Sequence, residues 1–372
     1  MRCNMPSLIL GDIKAPVPIV QGGMGVGISL SGLAAAVANQ GGIGVISSVG
    51  VGMLADTHRA PHKIANQIAL REEIRRAKEL SNGIIGVNIM VAVNDYDDLL
   101  KVSLQENIDV VFMGAGMPLR APKNLSLDYL KKVKTKFVPI VSSGRACRLI
   151  FKTWDKRFNH IPDGVVVEGP LAGGHLGFKA EQIHDKYFSL EKILPQVRTA
   201  LEPYEEKYGK QIPVIAGGGI YSGSDIHRFL DMGVQGVQMG TRFVATHECD
   251  ASTEFKQLYV NCRKEDLKII KSPLGLPGRA IGGKFIREII QGEKKPVKCS
   301  WACLKTCNVK KAPFCIAEAL INAKNGIMNK GFAFAGANAY RIKKIITVKE
   351  LITELIDGYH NSLAASRQFA GG

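Results

Sequence analysis

The feature that most constrains the fold is an alternation of short apolar segments with amphipathic segments from residue 17 to residue 242. Short apolar segments are typical of buried strands, and the segments between them have helical periodicity. The eight predicted strands are 17–22, 42–48, 84–91, 109–115, 137–143, 164–169, 213–218 and 236–242. The predicted helices include 31–40, 62–81, 95–106, 126–135, 145–157, 188–208 and 223–232. Because the strands are apolar on both faces, they indicate an α/β fold with a helix-covered parallel sheet, and eight such units close a TIM (β/α)8 barrel.

The alternative fold is a doubly wound nucleotide-binding sheet, since "GGMGVG" at 22–27 follows the first strand and precedes a helix. That fold requires GxGxxG spacing and an acidic residue at the end of the second strand, where it binds ribose hydroxyls. Here the second strand ends in Ser47 and Ser48, and the glycine spacing differs. The barrel is therefore the favoured prediction.

The pattern changes after the eighth strand. Residues 256–330 contain no clear strand, but include "SPLGLPGRAIGG" at 272–283 and a cluster of cysteines. An amphipathic helix is predicted at 347–359. We therefore expect a barrel over 1–255, a cap or insertion over the barrel mouth in 256–330, and a C-terminal segment, 331–372, whose helix returns to the barrel.

The charge of the chain is strongly positive: 372 residues include 49 Lys and Arg against 33 Asp and Glu, a net charge of +16. The basic residues are scattered over predicted helices, with no basic stripe of interleaved aromatics and no zinc-finger or RNA-binding signature, so we expect no nucleic-acid partner. A solvated basic surface, or attraction for an anionic substrate or an acidic partner, explains the charge better.

The longest apolar runs, such as "IIGVNIMVAV" at 84–93, are too short to cross a bilayer, which takes about 20 residues. The first residues also lack the long apolar stretch of a signal peptide. We therefore expect no membrane partner and a cytoplasmic location.

Glycines at the ends of the seventh and eighth strands predict a ligand that carries phosphate. The seventh strand ends in "AGGGI" at 216–220 and the eighth in "QMGTRF" at 238–243. In a TIM barrel these two loops commonly bind phosphate, because exposed backbone N–H groups and a helix N-terminus together attract an anion. The alternative is that the glycines only allow the helices to pack closely on the sheet.

Two other strand ends could contact a flat ring. The first strand ends in "QGGMG" at 21–25, where two glycines and Met24 would let the backbone and a soft side chain lie against a ring. The third strand carries Asn88, whose amide can donate to and accept from a heterocycle edge. All these residues belong to the same end of the predicted barrel.

His175 follows the sixth strand in "VVVEGPLAGGHLGF" at 165–178, within a frame of glycines. Little side-chain bulk crowds this histidine, so we expect it to act on a substrate, by donating to a developing anion or removing a proton. The other seven histidines lie in helical or loop contexts without such a frame, and a surface or packing role is predicted for them. Glu168, at the end of the sixth strand, could orient a partner or the loop, or have a structural role alone.

In their order and spacing, "PIVQGGMG", "EGPLAGGHLG", "PVIAGGGI" and "VQMGTRF" resemble the nitronate monooxygenase (2-nitropropane dioxygenase) family, whose superfamily includes the FMN-dependent enoyl-ACP reductase. The resemblance covers nearly the whole chain and implies FMN in a TIM barrel, with His175 as the catalytic residue. It implies a phosphate site made by Gly217, Gly218, Gly219, Gln238, Met239, Gly240 and Thr241. It implies isoalloxazine contacts from Gly22, Gly23, Met24 and Asn88, and we add Glu168 and Gly174, beside the histidine, to the cofactor site. The commoner form of the histidine motif has a glutamate where this chain has Leu171, so the resemblance carries over the histidine but not the role of that acid.

The implied reaction is oxidation of alkyl nitronates by flavin and O₂. The alternative from the same superfamily is an NAD(P)H-dependent enoyl-thioester reductase, for which an acidic carrier protein would suit the basic surface; a homo-oligomer is also considered. IMP dehydrogenase and GMP reductase share the phosphate loops but need a nucleophilic cysteine, and the only mid-barrel cysteine, Cys147, falls in a predicted helix. A non-catalytic flavin-binding protein is the remaining alternative, although it would not need His175 in its glycine frame.

Four cysteines at 299, 303, 307 and 315 have the spacing C-x3-C-x3-C-x7-C. Four thiolates could bind zinc or an iron–sulfur cluster, but common zinc signatures begin C-x2-C. On a helix the first three would lie one turn apart along one ridge as small packing residues. We therefore predict no metal: reduced structural thiols are favoured over a metal site formed by Cys299, Cys303, Cys307 and Cys315, and over a regulatory disulfide.

Overall fold

The computed structural model describes residues 5–370 except 55–60, 124, 296, 298 and 300. The strands are β1 (Leu8–Leu10), β2 (Ile13–Ala15), β3 (Ile19–Gln21), β4 (Ile43–Ser47), β5 (Ile84–Met90), β6 (Val110–Gly114), β7 (Lys136–Val141), β8 (Val165–Glu168), β9 (Gly174–His175), β10 (Val214–Gly217), β11 (Gly236–Met239), β12 (Leu267–Lys271), β13 (Pro277–Ile281) and β14 (Ala333–Phe334). The α-helices are α1 (Ser31–Asn39), α2 (His62–Leu80), α3 (Tyr96–Gln105), α4 (Leu127–Lys132), α5 (Gly144–Phe158), α6 (Leu190–Tyr208), α7 (Gly223–Asp231), α8 (Thr241–Val244), α9 (Thr253–Val260), α10 (Lys284–Ile290), α11 (Ile316–Lys324) and α12 (Val348–Ala370). Within these described ranges, none of the helices combines the length and the apolarity that a membrane span requires.

Eight parallel strands form a closed barrel in the order β10-β11-β3-β4-β5-β6-β7-β8. Each of the eight predicted strands contains or overlaps one of these, and the seven predicted helices are found as α1–α7. The prediction of a TIM barrel is therefore confirmed, with every carboxyl end of a barrel strand at one face.

A β-hairpin closes the opposite face of the barrel, and the sequence analysis missed it. Strands β1 and β2 pair in antiparallel fashion across a turn at Gly11, whose φ of 60° favours glycine. Leu8 and Leu10 are fully buried among the interior side chains of the barrel. Glycines in the barrel make room for the hairpin. A Cβ at Gly164, just before β8, would lie 2.8 Å from Leu10, and a Cβ at Gly236, the first residue of β11, would lie 3.1 Å from Leu8.

The cap contains a small antiparallel sheet, so the expectation that 256–330 lacks strands is wrong. β13 pairs with β12 and β14, and also with β9, which carries His175. The strands are short, and two of the partners of β13 lie far away in the sequence, which is why local periodicity did not reveal them. The pairing with β9 connects the cap directly to the loop that follows β8.

Helix α12 packs against α7, and glycines at the crossing let the two backbones approach closely. A Cβ at Gly223 would overlap the backbone of α12 at Leu355 and Gly358. The C-terminal helix therefore lies next to the helix that follows the glycine-rich end of β10.

Candidate active site

A layer of polar side chains lies at the carboxyl end of the barrel interior. In the strand register, Gly217 is paired with Glu168 on one side and with Gln238 on the other. Val166 and Ile215, two residues earlier, belong to the barrel interior, and side chains alternate along a strand. Glu168 and Gln238 therefore face the interior at the barrel mouth.

Asn88, on β5, belongs to the same polar layer, and neighbouring glycines lie against its side chain and that of Gln238. A Cβ at Gly23 would overlap the Cβ of Asn88, and a Cβ at Gly22 would lie 3.5 Å from Gln238. A Cβ at Gly240 would lie 3.4 Å from the Met24 sulfur, so the loops after β3 and β11 are neighbours. The predicted ring-contact residues thus occupy one continuous arc of the rim.

The loop after β10 has a backbone that requires glycine. Gly218 and Gly219 have φ values of 95° and 85°, in the left-handed region that side chains disfavour. A Cβ at Gly218 would also lie 2.8 Å from the carbonyl oxygen of Gly169, so this loop packs tightly on the loop that precedes His175. The two predicted phosphate loops, after β10 and β11, are adjacent because their strands pair.

Residues 336–338, which follow β14, complete this part of the rim, and sequence reasoning missed them. The Gly336 amide donates to the Thr241 hydroxyl at 2.9 Å, and the Asn338 amide group donates to the Gly219 carbonyl at 2.7 Å. The Ala337 amide donates to the Leu171 carbonyl at 3.0 Å. A glycine and an asparagine in the apolar stretch "FAFAGANA" were the available signal.

The imidazole of His175 is held between the cap and the barrel instead of standing in open space. His175 is directly opposite Gly278 in the cap sheet, and its ring centroid lies 5.0 Å from that of Phe334. A Cβ at Gly278 would lie 2.9 Å from the Phe334 ring, and one at Gly173 would lie 2.5 Å from the carbonyl carbon of Ala335. These glycines therefore allow close backbone packing around His175, which corrects the expectation that its glycine frame leaves it uncrowded.

Burial sets the protonation of the two titratable side chains of the site. Burial lowers the pKa of His175 to about 4, so its imidazole is neutral at pH 7. The Nε2 atom of His175 is buried and has no hydrogen-bond partner within the described residues. Burial raises the pKa of Glu168 to about 7, so its carboxyl group is close to half protonated at neutral pH.

Arg279, on β13, binds the loop that carries His175, and no sequence motif predicted this residue. Its side chain is 5% exposed, and Nη1 donates to the carbonyl oxygens of Pro170 at 2.7 Å and Ala172 at 2.6 Å. Burial lowers the pKa of Arg279 to about 10, which leaves the guanidinium charged at neutral pH. Within the described residues no carboxylate forms an ion pair with it, and its Nη1 hydrogen bonds go to carbonyl oxygens of the histidine loop.

The structure bears on two predictions about cysteines, one for Cys147 and one for the cysteines of the cap. Cys147 is fully buried inside α5, and burial raises its pKa to about 12, so it is no candidate nucleophile. The described residues of 297–309 form no helix, so Cys299, Cys303 and Cys307 do not lie along one helical ridge there. Among the described residues, no group of three His, Cys, Asp or Glu side chains is already arranged to hold a metal ion.

The closed barrel, with glycines at its rim and a histidine whose Nε2 atom has no partner within the described residues, has the architecture of a TIM-barrel enzyme. The chain belongs to the nitronate monooxygenase family, since the family model described as "Nitronate monooxygenase" matches residues 7–358. This membership makes it an oxidoreductase of the flavin-dependent type.

Relatives within this group differ in their named activities. The chain is 26% identical over 294 residues (79% of this chain, 70% of the relative) to the (3aS,4S,5R,7aS)-5-hydroxy-7a-methyl-1-oxo-octahydro-1H-indene-4-carboxyl-CoA dehydrogenase of Mycobacterium tuberculosis. It is 23% identical over 310 residues (77% and 81%) to a probable nitronate monooxygenase of Staphylococcus saprophyticus. The solved structure of FabK from Thermotoga maritima superposes with a TM-score of 0.71 at 27% identity, covering 95% of this chain and 96% of that one.

Proposed function

We propose that this chain binds FMN and oxidises alkyl nitronates with O₂. The observation that carries the proposal is the neutral, half-buried imidazole of His175, whose buried Nε2 atom has no hydrogen-bond partner within the described residues. A buried polar atom without a partner is costly, and a ligand that bonds to it relieves that cost.

The rim residues fit a flavin mononucleotide. The loops 217–219 and 238–241 would hold the phosphate, because their glycines bring backbone close to the ligand and the two loops are neighbours. The flat surface over Gly22, Gly23 and Met24 would lie against the isoalloxazine, with Asn88 at its edge. When bound, the flavin supplies the electron-accepting chemistry, while the barrel supplies position and electrostatics.

His175 would bind and orient the substrate. At neutral pH its imidazole has one N–H and one lone pair, so it donates a hydrogen bond to a nitronate oxygen, or accepts the proton of a neutral nitroalkane. The guanidinium of Arg279 behind the loop adds positive potential, which favours an anion at this position. The cap sheet covers the histidine and restricts water around it.

The second candidate is an NAD(P)H-dependent reductase of enoyl thioesters. Similarity to FabK and to a CoA-thioester dehydrogenase favours it, since a thioester is the substrate named for the latter. The net charge of +16 would suit an acidic carrier protein, and a homo-oligomer and a cytoplasmic location are part of either proposal.

One anaerobic experiment separates the two. Bleaching of bound flavin by propyl-2-nitronate alone supports the oxidation of nitronates. Bleaching by NADH followed by reoxidation with crotonyl-CoA supports the reductase. A colourless protein that cannot be reconstituted with FMN contradicts both.

A further inference from the structure

Four cysteines of the cap have no role in the proposed site. Cys299, Cys303, Cys307 and Cys315 lie between α10 and α11. The described residues of 291–315 contain no helix or strand; one isolated bridge, from Leu304 to Val93, is their only β-pairing. The helical ridge that would have explained these cysteines as packing residues is therefore absent.

These four cysteines are also more exposed than the cysteines that pack in the core. Cys147, Cys249 and Cys262 are 0–4% exposed and lie in the core. Cys303, Cys307 and Cys315 are only half-buried, and Cys299 is exposed. A free cysteine that packs as a small hydrophobe is normally buried, so packing does not account for this cluster.

The four cysteines lie near one another in space as well as in sequence. The side chain of Cys303 interacts electrostatically with those of Cys299, Cys307 and Cys315, and the side chain of Cys307 interacts with those of Cys299 and Cys315. Thiols that are grouped in this way can supply several ligands to one cation.

The surroundings suit a negatively charged centre. Residues 294–315 contain six lysines and no acidic residue. A divalent ion with four thiolates carries a net charge of about −2, which lysines of this segment other than Lys295, already paired with Glu288 and Glu293, would balance. The backbone amide of Ala302 donates to the Cys299 sulfur at 3.4 Å, the kind of hydrogen bond that supports a thiolate ligand.

Backbone contacts place this cluster at the catalytic face of the barrel. The Asn94 amide donates to the Cys303 carbonyl at 3.0 Å, and the Lys305 amide donates to the Ala92 carbonyl at 2.9 Å. Residues 92–94 directly follow β5, the strand that carries Asn88. A crosslink through the cysteines would hold the irregular cap segment on this rim.

We propose that Cys299, Cys303, Cys307 and Cys315 bind one thiolate-ligated metal centre, a zinc ion or an iron–sulfur cluster, that fastens the cap to the barrel mouth. The thiols are not yet arranged as ligands, so the loop closes on the metal as it binds. This proposal does not depend on the substrate or on the reaction at His175.

The test is the metal content of the full chain purified without oxygen. Zinc, iron and acid-labile sulfide are measured per chain, before and after reconstitution with zinc, or with iron and sulfide. About one zinc ion, or about four iron and four sulfide ions, per chain is expected. The double variant Cys303→Ser/Cys307→Ser should lose that content by about tenfold or more, while Cys262→Ser, which changes a buried cysteine outside the cluster, should keep it.

Two results would overturn the proposal: wild-type protein that binds neither metal even after reconstitution, or equal metal in the wild type and the double variant. If the double variant does not fold, alkylation of the wild type with iodoacetamide, mapped by mass spectrometry, replaces it. The four cysteines should be protected until a chelator is added, and their immediate alkylation in metal-containing protein contradicts the proposal. Flavin content, measured on the same samples, reports separately on the proposed function.

Discussion

The imidazole of His175 is half-buried, and its buried Nε2 atom has no partner within the described residues. Replacing it by alanine removes an imidazole that is neutral at pH 7 and able either to donate or to accept a proton. We expect His175→Ala to lower kcat/KM for a nitronate by about 10²- to 10⁴-fold, the usual contribution of such a residue. Bound flavin should be retained, as measured by the absorbance of the purified protein. His184→Ala, at an exposed histidine, is the control, and equal activity of both variants would remove His175 from the mechanism.

Glu168 makes the stability of the protein depend on pH. Its pKa rises from 4.5 to about 7 in the folded state, so the folded protein holds this proton over a pH range in which the unfolded chain releases it. Its contribution to stability is therefore full below pH 4.5 and is lost as pH rises to about 7. At 1.36 kcal/mol per unit, the loss is about 3 kcal/mol.

Denaturant unfolding of wild type and Glu168→Gln between pH 4.5 and 8 measures this effect. His175 has the opposite shift, from 6.5 to about 4, so the two partly cancel in the wild type. The difference between wild type and the glutamine variant isolates Glu168, because His175 is present in both. A difference that does not change with pH would contradict a raised pKa.

Single residues of the site were predictable where the signal is local. The glycines after β10 follow one another in a segment whose backbone is left-handed, as their sequence indicates. His175 is a polar residue among glycines, which is also visible within a few residues of sequence. Arg279, Gly336 and Asn338 were missed because they reach the site from more than 80 residues away, through contacts to Ala172, Thr241 and Gly219. No local pattern contains such contacts.

At the scale of elements, the same distinction holds. The barrel strands and α1–α7 follow from periodicity, because each buries a face that its own sequence marks as apolar. The hairpin β1–β2 and the cap strands β12 and β13 are only three to five residues long, and β13 pairs with partners about 100 residues before and 50 after it. Tertiary pairing, and not local preference, decides the contacts of β13 with β9 and β14. The hairpins β1–β2 and β12–β13 pair locally, but their short strands give little periodic signal.

The contact between β13 and the histidine loop gives a prediction at this scale. Arg279→Met keeps the length and apolar stem of the side chain but removes both hydrogen bonds to the Pro170 and Ala172 carbonyls. Because a displacement of about 1 Å in a reacting group can cost about 10²-fold, we expect kcat to fall by about 10- to 100-fold with flavin retained. Arg279→Lys restores a charge and part of the bonding, so it should recover part of kcat.

The readout that separates this positioning role from general destabilisation is kcat compared at temperatures well below the unfolding midpoint of each variant. Lys284→Met, at an exposed lysine in the first turn of α10, is the matched control for removing a cation from the cap. If the methionine variant of Arg279 loses stability but keeps wild-type kcat, the side chain only supports the fold.

At the scale of the whole molecule, the C-terminal helix α12 contacts the end of the barrel where the cofactor is proposed to bind. α12 crosses α7 at Gly223, and α7 begins directly after the loop 217–222 that is proposed to hold the phosphate. A methyl group at Gly223 would overlap the α12 backbone, so the two helices must separate. Overpacking of this kind costs about 1–3 kcal/mol.

Gly223→Ala should therefore lower the free energy of unfolding by that amount and weaken FMN binding, although no atom of Gly223 belongs to the predicted phosphate site. Both effects have one cause, because a displaced α7 carries the end of the β10 loop with it. Urea unfolding and fluorescence titration with FMN measure them, and Gly283→Ala, where a Cβ meets no atom within 4 Å, is the control. A variant that loses stability but binds FMN like the wild type would show that α12 supports the barrel without reaching the loop, so that the C-terminal segment serves folding alone.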